Sequence, residues 1–225
     1  MLSAAFPADA GLPTDVVSYG PDIANETALR LIGQVTGKRV LELGAGAGHN
    51  AVALARQGAH TIVVDPSHRR LERLRALCDE EEIRVEAHQS DLAELAFVRA
   101  DTIDVVVSVF ALASAVDLDR VFRQVHRVLR TEAPFVFSLP HPALVLTRGG
   151  SYFDDLPRSW QTGDASGEEI PRTISDVFTG LVRANFRVDA LLEPEPRAAP
   201  RSQFWVDAMS RAPATLVVRA RKEGF

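Results

Sequence analysis

The chain has 225 residues, of which 46% are hydrophobic and 24% charged, a composition typical of a soluble globular protein. Its 25 basic and 30 acidic residues give a formal net charge of −5, so its overall charge does not attract nucleic acid. The single cysteine, Cys78, excludes an intrachain disulfide, and the lack of a signal-like N-terminus or a membrane-length apolar run predicts a cytoplasmic protein.

Strand-like and helix-like segments alternate from residue 38 to residue 140. Apolar runs typical of strands occupy residues 38–44, 60–65, 83–89, 103–110 and 134–139. Between them, apolar residues at helical spacing predict helices that begin at Asn50 and cover residues 67–81 and 117–130. This alternation predicts an α/β fold with a doubly wound, Rossmann-like parallel sheet.

The chain changes character after residue 140. Residues 140–172 contain many prolines and glycines and few periodic apolar residues, which predicts a long loop. Further elements are predicted as a helix over 172–186 with Thr173 and Asp176 as its cap, strands over 186–194 and 214–221, and an early helix over 22–35. We therefore predict one domain over residues 1–225, with an N-terminal cap segment over 1–37 and a substrate loop or lid over 141–172.

A glycine-rich turn joins the first predicted strand to its helix. The segment "VLELGAGAGHNAVALA" (residues 40–55) carries glycine at positions 44, 46 and 48. Such a turn lets backbone approach a nucleotide-like ligand. The dinucleotide order G-x-G-x-x-G is not met, because residue 49 is His, and no Gly-Lys-Ser/Thr of a P-loop follows. A tight turn without a ligand is the alternative.

Two acids follow the next two predicted strands. Asp65 ends the second strand, and Asp91 comes directly after the third. Because the carboxyl ends of parallel strands share one edge of the sheet, both acids are expected near the glycine-rich turn. A carboxylate at Asp65 can accept ribose hydroxyls, and one at Asp91 can accept an exocyclic amine such as that of adenine. Solvated loop carboxylates are the alternative for each.

These features resemble the class I S-adenosylmethionine-dependent methyltransferases. The resemblance lies in "VLELGAGAG" (40–48), "VVD" ending at Asp65, "SDLAEL" (90–95), "DVVVSVFAL" (104–112) and the helix and strand over 118–139. It implies a seven-stranded, mostly parallel sheet with an antiparallel last strand, and S-adenosylmethionine as cofactor. The stretches "SYGPDIANE", "FVFSLPHP", "SDVFTGLVRANF" and "PATLVVRARK" are similar to small bacterial, actinobacterial-like methyltransferases.

The resemblance also implies a set of cofactor contacts. Glu42 would fix the glycine-rich turn, Asn50 would reach the cofactor carboxylate, and Tyr19 would close over the methionine end. The alternative for Tyr19 is a surface aromatic in the N-terminal segment. The full implied set is Tyr19, Glu42, Gly44, Ala45, Gly46, Asn50, Asp65, Pro66, Ser67, Asp91, Leu92, Ser108, Val109 and Phe110.

A sulfonium methyl group is already activated, so the protein mainly needs to align the acceptor and exclude water. A base is required only for an acceptor that arrives protonated. His141, beyond the fifth strand and between two prolines, is the candidate base, and His49, Tyr152 and Trp160 are candidate substrate contacts. Each could equally be a structural residue of its loop. No spacing of His, Cys and carboxylates suggests a metal.

The predicted function is therefore methyl transfer from S-adenosylmethionine to a small-molecule acceptor, by a monomer or homodimer without a nucleic-acid or membrane partner. One alternative is a non-catalytic protein that binds S-adenosylmethionine as a sensor or partner subunit. A nicotinamide-dependent oxidoreductase is a further alternative, which the placement of the third glycine disfavours.

Overall fold

The computed structural model describes residues 13–147, 149–162, 165–197 and 200–224. The first twelve residues of the predicted cap segment thus lie outside the described part of the chain. The helices are α1 (Glu26–Leu29), α2 (His49–Arg56), α3 (His68–Glu80), α4 (Leu118–Val128), α5 (Ala143–Leu146) and α6 (Ile174–Arg183), with 3-10 helices over Ala111–Ser114 and Asp207–Ser210. The strands are β1 (Arg39–Leu43), β2 (His60–Asp65), β3 (Glu86–Gln89), β4 (Val105–Val109), β5 (Pro134–Pro140), β6 (Arg158–Thr162), β7 (Ala165–Glu169), β8 (Phe186–Leu192) and β9 (Thr215–Lys222).

Seven strands form one sheet in the order β3-β2-β1-β4-β5-β9-β8. The pairs among β1 to β5 are parallel, and β9 is antiparallel to both β5 and β8. The predicted Rossmann-like, mostly parallel sheet with an antiparallel last strand is therefore confirmed. In this topology the carboxyl ends of β1, β2, β4 and β5 share one edge of the sheet.

The central strands are buried on both faces, as their valine-rich sequences require. Every residue of β4 is buried. Val106 packs into one hydrophobic cluster while Val105 and Val107 pack into another, so side chains alternate between two apolar layers. Helices cover both faces, as expected for a doubly wound sheet.

Helix α4 shows why the predicted helices form where they do. The Asp117 carboxylate accepts the backbone N–H of Arg120 and caps the helix N-terminus. The fully buried ring of Phe122 meets the rings of Phe135 and Phe137 with centroids 6.0 and 5.8 Å apart. Replacing this phenylalanine by alanine is expected to cost about 3–5 kcal/mol of folding free energy.

The predicted helix over residues 22–35 is wrong, because only one turn forms there. Helix α1 ends at Leu29, since Arg30 adopts a left-handed conformation with φ 51°. Beyond it, the buried Glu26 carboxylate accepts the backbone N–H groups of Leu31, Ile32 and Gly33 at 2.9–3.0 Å. These bonds wrap the chain around one side chain in place of helical hydrogen bonds.

The prediction of a loop over residues 140–172 also needs correction. This segment contains the helical turn α5 and the antiparallel hairpin β6–β7. The hairpin forms a separate two-stranded sheet, and Ile170 at its end donates its N–H to the carbonyl of Ala113. The described parts of this segment therefore form a cover attached to the sheet edge.

Of the helices formed by the described residues, none has the length and apolar character needed to cross a membrane.

Candidate active site

The glycine-rich turn follows β1, and two of its glycines differ in what surrounds them. Gly44 has φ 90°, and a side-chain carbon there would overlap the methyl group of Ala111, so close packing requires glycine. Gly46 has φ 53°, but a side-chain carbon there would meet no protein atom within 4 Å. The missing side chain of Gly46 thus leaves open space beside the turn.

Asp65 holds this turn in place. Its Oδ2 accepts the N–H of Ala45 and its Oδ1 accepts the N–H of Ser67, both at 2.8 Å. The Arg70 guanidinium lies 3.5 Å from Oδ2, and the aspartate side chain is completely buried. The sequence predicted ribose recognition at Asp65 but did not reveal this anchoring of one loop by another.

A small cavity, here called the loop pocket, lies against the turn. It contains about 340 Å³ of space that is partly open to solvent and is lined by Ser18, Glu42, Gly44, Ala45, Gly46, Ala47, His49, Asn50 and Val109. The structure thus brings six of the predicted cofactor residues together, along with His49, which had been assigned to the substrate.

Two polar atoms in the loop pocket lack a protein partner. Glu42 is only 2% exposed and its Oε2 accepts no hydrogen bond, and the buried Nδ1 of His49 is likewise unpaired. Burial, reinforced by the charge of Asp65, raises the pKa of Glu42 well above its usual value. Burial also lowers the pKa of His49, opposed by the charge of Glu81. Buried polar atoms are normally paired, so these two favour a polar occupant of the pocket.

The N-terminal segment closes the loop pocket through Ser18. The amide of Asn50 accepts the Ser18 N–H and donates to the Ser18 carbonyl, both at 2.9 Å. In this structure one N–H and the oxygen of the Asn50 amide are therefore engaged by the backbone of Ser18.

The prediction that Tyr19 covers the methionine end is corrected by its position. Its side chain is completely buried in a hydrophobic cluster, and its hydroxyl donates to Glu26 Oε2 at 2.6 Å. Burial, then the charge of Glu26, raises the pKa of Tyr19. Tyr19 therefore anchors the N-terminal segment and does not line the loop pocket.

A second cavity, the side cavity, extends beyond the ends of β2 and β3. It has about 910 Å³ of partly open space and is lined by Pro66, Asp91, Leu92, Ala93, Glu94, Ser114, Ala115, Val116, Asp117, Arg120 and Val121. Three residues of the implied cofactor set, Pro66, Asp91 and Leu92, thus share one cavity. Ser67 has a different function, since its hydroxyl accepts the Arg70 N–H and caps α3.

The three residues predicted at the end of β4 have separate functions. Val109 lines the loop pocket. Ser108 is buried and donates to the carbonyl of Leu43 at 2.6 Å, so it joins β4 to β1. Phe110 is buried with φ 58° and belongs to the hydrophobic core. For Ser108 and Phe110, the expectation of a cofactor contact is therefore replaced by a structural function.

A third cavity, the hairpin pocket, lies between the end of β5 and the hairpin segment. It contains about 480 Å³ of space and is lined by Ala113, Leu139, Pro140, His141, Pro142, Val145, Ser151, Tyr152, Arg158, Glu169, Ile170, Pro171 and Arg172. His141 and Tyr152 meet here as predicted substrate-side residues. Trp160 belongs to β6, but its side chain lies outside the described part of the structure.

Both ring nitrogens of His141 are engaged by the protein. Nδ1 accepts the backbone N–H of Ala143 at 3.1 Å, and Nε2 lies 2.7 Å from Glu193 Oε1. A nitrogen that accepts an N–H carries no proton, so the proton is assigned to Nε2, which donates to Glu193. The imidazole is only 4% exposed and presents no free lone pair to the hairpin pocket. This geometry contradicts the prediction of His141 as a general base.

Sequence reasoning missed the charged side chains of the hairpin pocket, Arg158, Glu169 and Arg172. They come from a segment without periodicity, and only the folded hairpin brings them to the end of β5. The described residues contain no group of three or more His, Cys, Asp or Glu side chains that could hold a metal ion.

One short element borders all three cavities. The 3-10 helix Ala111–Ser114 follows β4, and Ala111 packs against Gly44 beside the loop pocket. Ala113 lines the hairpin pocket, and Ser114 lines the side cavity. The three cavities thus surround one turn at the carboxyl edge of the sheet, where ligands of such folds bind.

The fold and this edge define a Rossmann-like α/β protein with its cavities at the carboxyl edge of the sheet. Residues 40–132 match the family described as a methyltransferase domain. The chain has the fold of an S-adenosylmethionine-dependent methyltransferase from Mesorhizobium loti, with a TM-score of 0.67 and 24% identity over 87% of this chain and 96% of that one. A Listeria monocytogenes protein assigned to the same enzymes gives a TM-score of 0.70 and 23% identity over 87% and 94%.

A curated relative supports the same assignment from sequence. A demethylmenaquinone methyltransferase of Clavibacter sepedonicus is 35% identical over 125 residues, which are 53% of this chain and 49% of that protein. The match thus spans about half the length of either protein. Residues 40–132 thus match a methyltransferase domain, and together these similarities support a class I S-adenosylmethionine-dependent methyltransferase with S-adenosylmethionine as cofactor.

Proposed function

We propose that this enzyme methylates a small-molecule acceptor held in the hairpin pocket. The arrangement of three cavities around the helix Ala111–Ser114 supports this function most directly. A cofactor whose methionine part fills the loop pocket and whose adenine fills the side cavity would have its reactive centre beside this helix. The hairpin pocket, which Ala113 of this helix lines, is then the place for the acceptor.

The lining of the loop pocket suits the methionine part of S-adenosylmethionine in its polarity. Because Gly46 has no side chain, the amino-acid part of the cofactor could lie against the turn at this position, which a side chain would prevent. The unpaired Glu42 Oε2 would accept the α-ammonium group, which supplies the partner that a buried carboxylate requires. His49 Nδ1 would meet the same polar end of the cofactor.

The side cavity would hold the adenosine. Pro66 and Leu92 offer apolar surfaces to a base, and Asp91 offers a carboxylate at the rim. The Asp91 Oδ1 accepts the N–H of Ala93, which fixes the orientation of the carboxylate. Asp65, whose side chain is completely buried, would act on this site by holding the turn.

When bound, the cofactor supplies a methyl group on a positively charged sulfur that is already activated for transfer. The protein contributes alignment and a dry environment. Leu139, Pro140, Val145 and Ile170 give the hairpin pocket largely apolar walls. With both nitrogens of His141 engaged, this residue would shape the pocket and take no proton.

The proposed catalytic unit is a single domain over residues 1–225, with 1–37 as its cap and 141–172 as the acceptor lid.

The relative's name places a demethylated quinol among the acceptors to be tested, beside phenols, thiols and aromatic acids. Nucleic acids and membranes are not proposed as partners.

Transfer of a tritiated methyl group from S-adenosylmethionine to this panel tests the proposed function. The expected result is a labelled small product, formed by the wild type and lost in Gly46→Ala, whose new methyl group would occupy the loop pocket. Tight cofactor binding with no transfer to any member would favour the non-catalytic alternative. Absence of cofactor binding by folded protein would contradict the assignment of the pockets.

A further inference from the structure

Two arginines line the hairpin pocket, and their surroundings differ. Arg158 donates to the Asp154 carboxylate at 2.8 Å, so its charge is neutralised locally. Arg172 donates to two neutral carbonyls, that of Ile170 at 3.1 Å and that of Ala115. Within the described residues, no carboxylate lies within 4 Å of the Arg172 guanidinium.

The Arg172 charge is also partly withdrawn from water. Its side chain is half-buried, and this burial lowers the pKa of its guanidinium, with Asp176 and Asp119 opposing the effect from longer range. Carbonyl oxygens satisfy two of its five N–H donors but carry no negative charge. A half-buried cation without a counter-ion is costly, and an anionic ligand in the pocket would remove that cost.

The remaining walls limit the ligand further. Leu139, Val145 and Ile170 are apolar, so these walls offer an apolar surface to a ligand. Glu169 is the acidic side chain that lines this pocket. A ligand with a compact apolar body and one anionic group matches this lining.

We propose that the methyl acceptor is a small apolar acid whose carboxylate, or a comparable oxyanion, is bound by Arg172. This inference rests on the proposed function, because it places the acceptor in the hairpin pocket. A planar guanidinium can bind a carboxylate through two parallel N–H···O bonds, which fixes orientation as well as position. Arg172 would thus be a specificity-determining residue that touches the acceptor, and Arg158 would maintain the hairpin through Asp154.

A pair of isosteric probes tests this assignment: 4-hydroxybenzoate and 4-hydroxybenzamide differ in charge but scarcely in shape. Their binding is measured by calorimetry or ligand-observed NMR on the full chain saturated with S-adenosylhomocysteine. The wild type is expected to bind the benzoate about tenfold more tightly than the amide, as one charge-assisted pair permits. Arg172→Gln is expected to bind both alike, while Arg187→Gln, an exposed arginine outside the pocket, keeps the preference.

Arg172→Lys provides a second variant that retains the charge without the planar fork, and a reduced but persistent preference is expected. Equal binding of the two probes by the wild type, no binding of either, or a full preference in Arg172→Gln would overturn the inference. Binding of S-adenosylhomocysteine separates this result from the proposed function. If that cofactor product binds and the probes do not discriminate, the error lies in the assignment of Arg172 alone.

Discussion

The carboxylate of Asp65 accepts the backbone N–H of Ala45 at 2.8 Å, so the last residue of β2 holds the glycine-rich turn after β1. The same carboxylate accepts the N–H of Ser67, which precedes α3. One buried side chain thus fixes the positions of two loops at the carboxyl edge of the sheet. The shape of the loop pocket depends on this residue even before any ligand contact is considered.

Asp65→Asn is expected to weaken both the fold and the site. An amide NH₂ placed against a backbone N–H leaves buried donors unpaired, which costs about 1–3 kcal/mol of unfolding free energy. Urea denaturation and calorimetric titration with S-adenosylhomocysteine measure the two effects. Asp104→Asn is the matched control, since Asp104 accepts the N–H of Arg39 away from the pockets and should lose stability without losing cofactor affinity.

Glu42 is expected to make stability and cofactor binding depend on pH in opposite directions. Its pKa is raised in the folded state, so above the ordinary glutamate pKa the unfolded chain releases a proton that the fold retains. The contribution of Glu42 to stability is therefore present at low pH and is lost as pH rises through the raised value. In denaturation series across pH, Glu42→Gln should remove this decline.

Cofactor binding tests the other half of this expectation. An α-ammonium group beside Glu42 favours its ionised form, so binding should release a proton and strengthen as pH rises. Titrations in buffers of different ionisation enthalpy measure that release. Glu42→Gln should bind S-adenosylhomocysteine roughly tenfold more weakly, given the usual worth of a hydrogen bond to a charged group, and should release no proton. Unchanged proton release in this variant would show that Glu42 is not the group involved.

His141→Asn should leave methyl transfer largely intact. The asparagine oxygen can replace Nδ1 as acceptor of the Ala143 N–H, which preserves the turn after β5. The rate with an acceptor from the tested panel is expected to stay within about tenfold, whereas losing a general base costs roughly 10²–10⁴-fold. A hundredfold loss with intact cofactor binding would restore His141 as the base.

The sheet could be predicted from sequence because its signals are local. The valines of β4 and the apolar spacing of α4 specify buried strands and an amphipathic helix without reference to the rest of the chain. The positions of the glycines and of Asp91 at the site could be predicted because the carboxyl ends of parallel strands share one edge of the sheet. Such features repeat at fixed positions in this fold.

Long-range contacts explain the errors. Residues 22–35 have helical spacing, yet the Glu26 carboxylate binds backbone N–H groups that a helix would use. Asn50 lines the loop pocket, but its pairing with Ser18, which is 32 residues away, could not be predicted. Arg172 could not be predicted as a site residue, because only the folded hairpin segment brings it to the end of β5. Pairings of this kind leave no periodic pattern in the sequence.

The central claim is that the glycine-rich turn binds the methionine part of S-adenosylmethionine. Gly46→Ala and Gly37→Ala form a matched pair, because both glycines have positive φ and both new methyl groups would meet no protein atom. Each should lose about 1–2 kcal/mol of stability through backbone strain. Of these two glycines, only Gly46 lines the loop pocket.

Calorimetric titration of the wild type and both variants with S-adenosylhomocysteine is therefore the most direct measurement. The wild type and Gly37→Ala are expected to bind with similar affinity, and Gly46→Ala about tenfold or more weakly, through steric exclusion from the pocket. Equal affinity in all three proteins would contradict the placement of the cofactor at this turn.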